Sequence, residues 1–190
     1  MHLTRKQIHV MTVGLLLANV MSGLDATIIN TALPAIIADL HGISCMGLIV
    51  SVFLLGMSVF TPLWSKFGER MGNKKAFELA VVLFIAGSAL EGLSPDILFF
   101  VCARLLMGIG AGGLGSIPYI IFGNVYENLH TRSIILGFVS AVYGVASITG
   151  PLVGGLIVDS FSWHWIFYIN VPIGLLIIAI IHFSYNEKIE

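Results

Sequence analysis

Residues 8–37 read IHVMTVGLLLANVMSGLDATIINTALPAII, and across these 30 positions the single Asp, Glu, Lys or Arg is Asp25. A bilayer core takes about 20 apolar residues of helix. The stretch is therefore long enough to cross a membrane while carrying a carboxylate near its middle. Arg5 and Lys6 precede it, as basic residues precede a secretory signal. The apolar run is too long for a signal peptide, however, and no small-residue cleavage site closes it. It is expected to stay in the mature protein as the first span.

The rest of the chain repeats this pattern. Of its 190 residues 57% are hydrophobic and 10% charged, with a mean hydropathy of +0.99, whereas about a quarter of a soluble domain is charged. Hydropathy read against charge gives six apolar segments, at 8–37, 45–64, 76–93, 97–125, 134–158 and 165–183. The expected fold is an all-α membrane protein, one six-transmembrane-helix bundle over residues 1–190, with no room for a soluble domain.

The connections alternate. Those at 39–44, 94–96 and 159–164 hold no Lys or Arg, while those at 66–75 and 126–132 do. Basic residues collect on the cytoplasmic side of a membrane. Arg5, Lys6, Lys66, Arg70, Lys74, Lys75, Arg132 and Lys188 then all fall there, eight of the nine basic residues. That predicts a multi-pass protein of the cell membrane with both termini in the cytoplasm and a cytoplasmic linker beginning at 186–190. The ninth, Arg104, lies inside the fourth segment.

Composition also excludes. A net charge of -1 gives no basic field for nucleic acid. Cys45 and Cys102 match no redox or metal spacing. His2, His9, His41, His130, His164 and His182 include no pair at helical metal-binding spacing. No metal and no cofactor are expected. Gly113-Leu114-Gly115-Ser116 faintly resembles a serine-protease-like turn, but no histidine sits at a matching depth, so an enzyme is not expected.

Charge inside a membrane is costly and marks function by default. Asp25 and Arg104 stand out. Burial and a nearby cation act in opposite senses on the proton affinity of a carboxylate, so Asp25 suits proton coupling; the alternative is an Asp fixed by helix ends or by Thr27 and Asn30. Arg104 cannot deprotonate and is a fixed charge that either gates a carboxylate or clamps helices. Glu78 and Glu91, near the two ends of the third segment, are expected to reach headgroups or water. Pro34, Pro118 and Pro151 fall within apolar segments, where a missing N–H bends a helix. Glycines, 21 in all, crowd the fourth and fifth segments, as small residues do where membrane helices pack closely.

Four motifs carry a resemblance. Leu24-Asp25-Ala26-Thr27-Ile28-Ile29-Asn30-Thr31-Ala32-Leu33-Pro34 resembles a first-helix signature of the major facilitator superfamily, in its fourteen-helix drug:proton antiporter branch. The stretch from Ser65 through Gly68, Glu69, Arg70, Gly72 and Asn73 to Lys74 and Lys75 is similar to the superfamily's cytoplasmic loop motif, with Ser65, Glu69 and Asn73 departing from the usual Gly, Asp and Arg. Arg104 with Gly108 and Gly112 resembles the fourth-helix motif, Met107 standing where glutamine is common. Gly144, Gly150, Pro151, Gly154 and Gly155 resemble the antiporter motif of the fifth helix, and Trp163-His164-Trp165-Ile166-Phe167-Tyr168-Ile169-Asn170-Val171-Pro172 is also typical of the branch.

The resemblance implies the N-terminal half of a major facilitator fold and a proton-coupled efflux transporter. It implies coupling through Asp25, with Arg104 biasing its proton, and a cytoplasmic latch at the loop motif. The implied partners are the lipid bilayer, protons, an amphipathic or cationic small molecule, and a second half supplied by another chain or a homodimer. A non-transporting membrane subunit or inactive remnant that only binds a partner chain is the alternative. Asn30, Met107, Tyr119, Phe138 and Tyr143 either line the substrate pathway or pack against lipid and core.

Overall fold

The computed structural model describes residues 3–185; His2, Lys188 and the expected linker at 186–190 lie outside the described residues. Helix α1 (Arg5–Leu40) starts at a capping box. The Gln7 amide donates to Thr4 Oγ1 at 3.2 Å, and the Thr4 amide donates to Gln7 Oε1 at 2.9 Å, which satisfies two amides that a helix start otherwise leaves unpaired. At about 1.5 Å per residue, its 36 residues outrun a bilayer core at both ends. A short 3₁₀ turn (Ile43–Cys45) leads into α2 (Met46–Met71).

The stretch 66–75, expected as a connection, is helical apart from Gly72. Helix α2 runs through Arg70, and α3 (Asn73–Gly92) begins one residue after Gly72. The junction is possible because Gly72 takes φ 93°, a conformation that side chains with a Cβ resist. The charges of this stretch are compatible with helix because a chain leaving the apolar core keeps its i→i−4 bonds in water as well.

Helices α4 (Ile97–Val125) and α5 (Leu129–Ser160) are capped by Asp96 and Asn128. Arg132 turns back to donate to the carbonyls of Gly123 at 2.7 Å and Tyr126 at 2.9 Å, placing a cation on the acceptor end of α4. The last apolar segment divides into α6 (Trp165–Tyr168) and α7 (Asn170–Ser184). Five segments among the described residues are long and apolar enough to cross a membrane: α1, the 3₁₀ turn with α2, α4, α5, and α6 with α7. Helix α3, with Lys74, Lys75, Glu78 and Glu91, is less apolar, and at 20 residues it is about 30 Å long.

Helix α4 packs between α2 and α3, α1 packs between α5 and α7, and α3–α7 and α1–α4 contacts join the two groups. Close approach in a membrane needs small residues, since lipid gives helices no hydrophobic drive to associate. Gly108 supplies this on α4, where a Cβ would stand 2.5 Å from the Phe53 carbonyl of α2. The core runs from Met11, Leu15 and Met21 of α1 to Phe77 and Phe84 of α3 and Met107 and Leu114 of α4. A second cluster joins Ile28, Ile36, Phe100, Trp163 and Phe167. Helices α2 and α5 bury little, with wide apolar faces at Leu55, Leu63, Phe138, Ile148 and Leu152.

The segment after α5 is tied down by polar contacts. The Trp163 indole donates to Asp39 Oδ2 at 3.0 Å, and the Tyr168 hydroxyl donates to the Gly92 carbonyl at 2.7 Å. Asn170 Nδ2 donates to Ser88 Oγ at 2.9 Å, and that hydroxyl donates to the Phe167 carbonyl at 2.8 Å. Two of these anchors, at Ser88 and Gly92, bracket Glu91 at the end of α3.

Candidate functional site

Asp25 and Arg104, 79 positions apart, meet. Arg104 Nη1 donates to Asp25 Oδ2 at 3.3 Å. The Asp is 1% and the Arg 3% exposed, so the pair is sealed within the bundle, where removing the arginine strands a carboxylate. The alternative fixation of Asp25 is not what this arrangement has: the Thr27 hydroxyl turns back to the carbonyls of Gly23 and Leu24. Around the guanidinium, Met107 Sδ accepts from Nη1 at 3.5 Å, and the Phe53 ring lies 4.0 Å from the guanidinium carbon, a cation–π contact worth about 0.5–2 kcal/mol.

Glu91 corrects an expectation. It does not reach headgroups or water; it is fully buried, and its Oε1 lies 3.7 Å from the same nitrogen, Arg104 Nη1. Sequence distance to the interface misplaced it because α6 and α7 cover the end of α3, through the contacts at Ser88 and Gly92. The signal available in the sequence was the rule that an acid in an apolar segment is a functional candidate. Glu78 stays near the surface, its Oε1 3.1 Å from His182 Nδ1.

Two carboxylates thus face one guanidinium. Asp25 Oδ1, both Glu91 oxygens and Arg104 Nε are buried without a hydrogen-bond partner. Such a site is costly to keep dry and unbalanced.

A cavity of about 250 Å³ opens beside Arg104, lined by Ala26 and Asn30 of α1, Phe53 and Met57 of α2, and Tyr143 of α5 among others. Of the five expected lining residues it includes Asn30 and Tyr143. Met107 is instead buried in the core against Arg104, Tyr119 is 46% exposed on α4, and Phe138 is 58% exposed on α5.

The remaining motif residues fall in two places. On the end of the bundle, Glu69 and Arg70 are exposed, Gly68 approaches Asn73 Oδ1, and Ser65 donates to the Thr61 carbonyl. Lys74 Nζ donates to the His182 carbonyl of α7 at 2.8 Å. On α5, Gly150 lies against the Thr27 hydroxyl and the Leu24 carbonyl, and Gly154 against Ile28. That seam packs α5 onto the turns of α1 that flank Asp25. Pro151 is exposed, and Gly144 and Gly155 face open space.

The family model described as Major Facilitator Superfamily matches residues 15–188. The chain belongs to the Major Facilitator Superfamily. Among its relatives in this superfamily, the "Multidrug transporter protein MdtP" of Bacillus subtilis (strain 168) is 36% identical over 168 residues, 88% of this chain and 31% of that protein. The "Efflux pump dotC" of Dothistroma septosporum is 38% identical over 176 residues, 93% of this chain and 30% of that protein. The chain therefore spans about a third of the length of these relatives. The fold agrees with that of the proton:xylose symporter XylE bound to 6-bromo-6-deoxy-D-glucose, with a TM-score of 0.81 at 16% identity, covering 94% of this chain and 45% of the symporter. These matches place the chain as an all-helical membrane bundle, the N-terminal half of a major facilitator fold.

Proposed function

We propose that this chain is the first half of a proton-coupled efflux transporter, in which protons and an amphipathic or cationic small molecule move in opposite directions. The observation that carries the reading is the buried Asp25–Arg104 pair beside a cavity bounded by α1, α2 and α5. A carboxylate paired to a cation that cannot deprotonate gains or loses its proton as that contact loosens or tightens, and cavity opening and closing is what changes the contact. The names of the relatives, a multidrug transporter and an efflux pump, support the direction and the substrate class. Aromatic and thioether groups at the cavity, Phe53, Tyr143 and Met57, suit varied cationic guests.

In this reading α3 also crosses the membrane, as the third of six spans, both termini are cytoplasmic, and Lys66, Arg70, Lys74 and Lys75 face the cytoplasm with the α2–α3 junction. The loop-motif residues act there as the latch of one side, Lys74 holding the end of α7. Transporters of this kind place their site between two pseudo-symmetric halves; the sparsely buried faces of α2 and α5 receive the second half, from further sequence, a separate chain or a second copy.

The test is ethidium efflux from energised cells expressing the chain, with and without a proton uncoupler, beside an Asp25→Asn variant. Uncoupler-sensitive efflux that Asp25→Asn abolishes is expected. Efflux indifferent to both removes the coupling role of Asp25. No efflux from chain present in the membrane favours a half whose function needs its missing second half.

A further inference from the structure

We propose that Glu91 is a second proton-accepting carboxylate of this site, which exchanges Arg104 with Asp25. The inference rests on the reading of Asp25 as the coupling residue and adds to it a group that stores the proton.

Asp25 and Glu91 in their ionised forms bring two negative charges to the single positive charge of Arg104, and all three are at most 3% exposed. The surplus negative charge is disfavoured away from water. One proton on either carboxylate cancels it and leaves an ion pair and a neutral acid.

Geometry selects the holder in this arrangement. Asp25 Oδ2 accepts a hydrogen bond from Arg104 Nη1, whereas both Glu91 oxygens have no hydrogen-bond partner. Asp25 is the ionised partner and Glu91 carries the proton. Because both acids face the same nitrogen, a short swing of the guanidinium from Asp25 to Glu91 reverses the assignment. The Glu91 carboxyl gives its proton to the Asp25 carboxylate and becomes the ionised partner of Arg104, with charge and proton number unchanged.

The charged groups acting on Glu91 are Arg104 from α4 and Asp25 from α1. From α6, the Tyr168 hydroxyl is donated to the Gly92 carbonyl; from α7, Asn170 is engaged with Ser88. Those contacts hold the end of α3 in place without supplying a countercharge. An Asp25–Arg104 pair alone is neutral and has no acid left to hold a proton while paired; Glu91 provides that acid.

The test is infrared spectroscopy of the purified chain in lipid nanodiscs, with glutamate carrying carbon-13 in its side-chain carboxyl. Expected at neutral pH is a protonated-acid carbonyl absorption that moves on labelling. It is absent in Glu91→Gln and also in Asp25→Asn, since in each variant the one remaining carboxylate pairs with Arg104 and no proton is needed. Helical circular dichroism checks that the variants fold. Glu91→Asp keeps a protonated-acid absorption that no longer responds to the glutamate label.

A wild-type chain without the labelled absorption overturns the proposal. So does an absorption that persists in Asp25→Asn, which would make Glu91 an isolated acid, and so does loss of the protonated acid in folded Glu91→Asp. Efflux that Asp25→Asn leaves unchanged, with this signature intact, overturns the coupling reading and leaves the shared proton standing; efflux that depends on Asp25 with no protonated glutamate does the reverse.

Discussion

Asp25 in the middle of α1 accepts a hydrogen bond from Arg104 on α4, Nη1 to Oδ2 at 3.3 Å, with both side chains sealed from solvent. The contact joins the helix that carries the first-segment acid to the helix between α2 and α3. Removing Arg104 leaves buried carboxylate charge without compensation, which costs about 3–5 kcal/mol. Arg104→Gln is expected to destabilise the chain by that order in chemical unfolding from detergent micelles. The triple variant Asp25→Asn/Glu91→Gln/Arg104→Gln, which strands no charge, should recover most of the loss. Equal losses in the two variants would mean that packing, not charge, sets the stability of this centre.

The fifth-helix glycines divide by what they touch. A Cβ at Gly150 runs into Thr27 and the Leu24 carbonyl, while a Cβ at Gly155 meets nothing within 4 Å. Overpacking costs about 1–3 kcal/mol or more, and exposed changes stay within about 0.5 kcal/mol. Unfolding midpoints should fall for Gly150→Leu and hold for Gly155→Leu; the same fall in both would show that α5 does not pack on α1 through this seam.

Gly72, at φ 93° between α2 and α3, should not accept a Cβ without strain of about 1–3 kcal/mol. Gly72→Ala is expected to lower the unfolding midpoint accordingly, and Gly72→Asn less, because asparagine tolerates positive φ better than alanine does. Indistinguishable midpoints for all three chains would contradict the one-residue junction.

Tyr168→Phe removes the hydroxyl donated to the Gly92 carbonyl, a loss of about 1 kcal/mol. Asn170→Leu leaves Ser88 Oγ without its donor and should cost somewhat more. Because both contacts bracket Glu91, amide hydrogen exchange at 88–93 should accelerate in each variant. Unchanged exchange would separate α6 and α7 from the placement of Glu91.

The helices and the first acid of the site were legible in sequence because they rest on local rules. Apolar runs found the cores of the helices, and Asp25 and Arg104 were marked by charge within those runs. Boundaries were not, since α1 and α5 extend beyond their apolar cores to polar caps at Thr4 and Asn128, and α2 continues through its charged end to Gly72. The junction at 66–75 read as a loop because hydropathy reports burial and not hydrogen bonding. Glu91 was missed for a tertiary reason: its depth depends on α6 and α7 folding over the end of α3, and no spacing within 76–93 encodes that cover. Phe53, which faces Arg104, was one apolar residue among many in α2 until the helices were assembled. Tyr119 and Phe138 lie on exposed faces of α4 and α5, outside the lining of the cavity beside Arg104.

The central claim is that proton and cation occupancy of this site are linked through Asp25. The direct measurement is proton release on adding ethidium to the purified chain in weakly buffered nanodiscs, followed with a pH-indicator dye. The account predicts that the wild-type chain binds ethidium with release of protons, and that Asp25→Asn releases none. Ethidium binding by the wild-type chain without proton release, or equal release from Asp25→Asn, would contradict it.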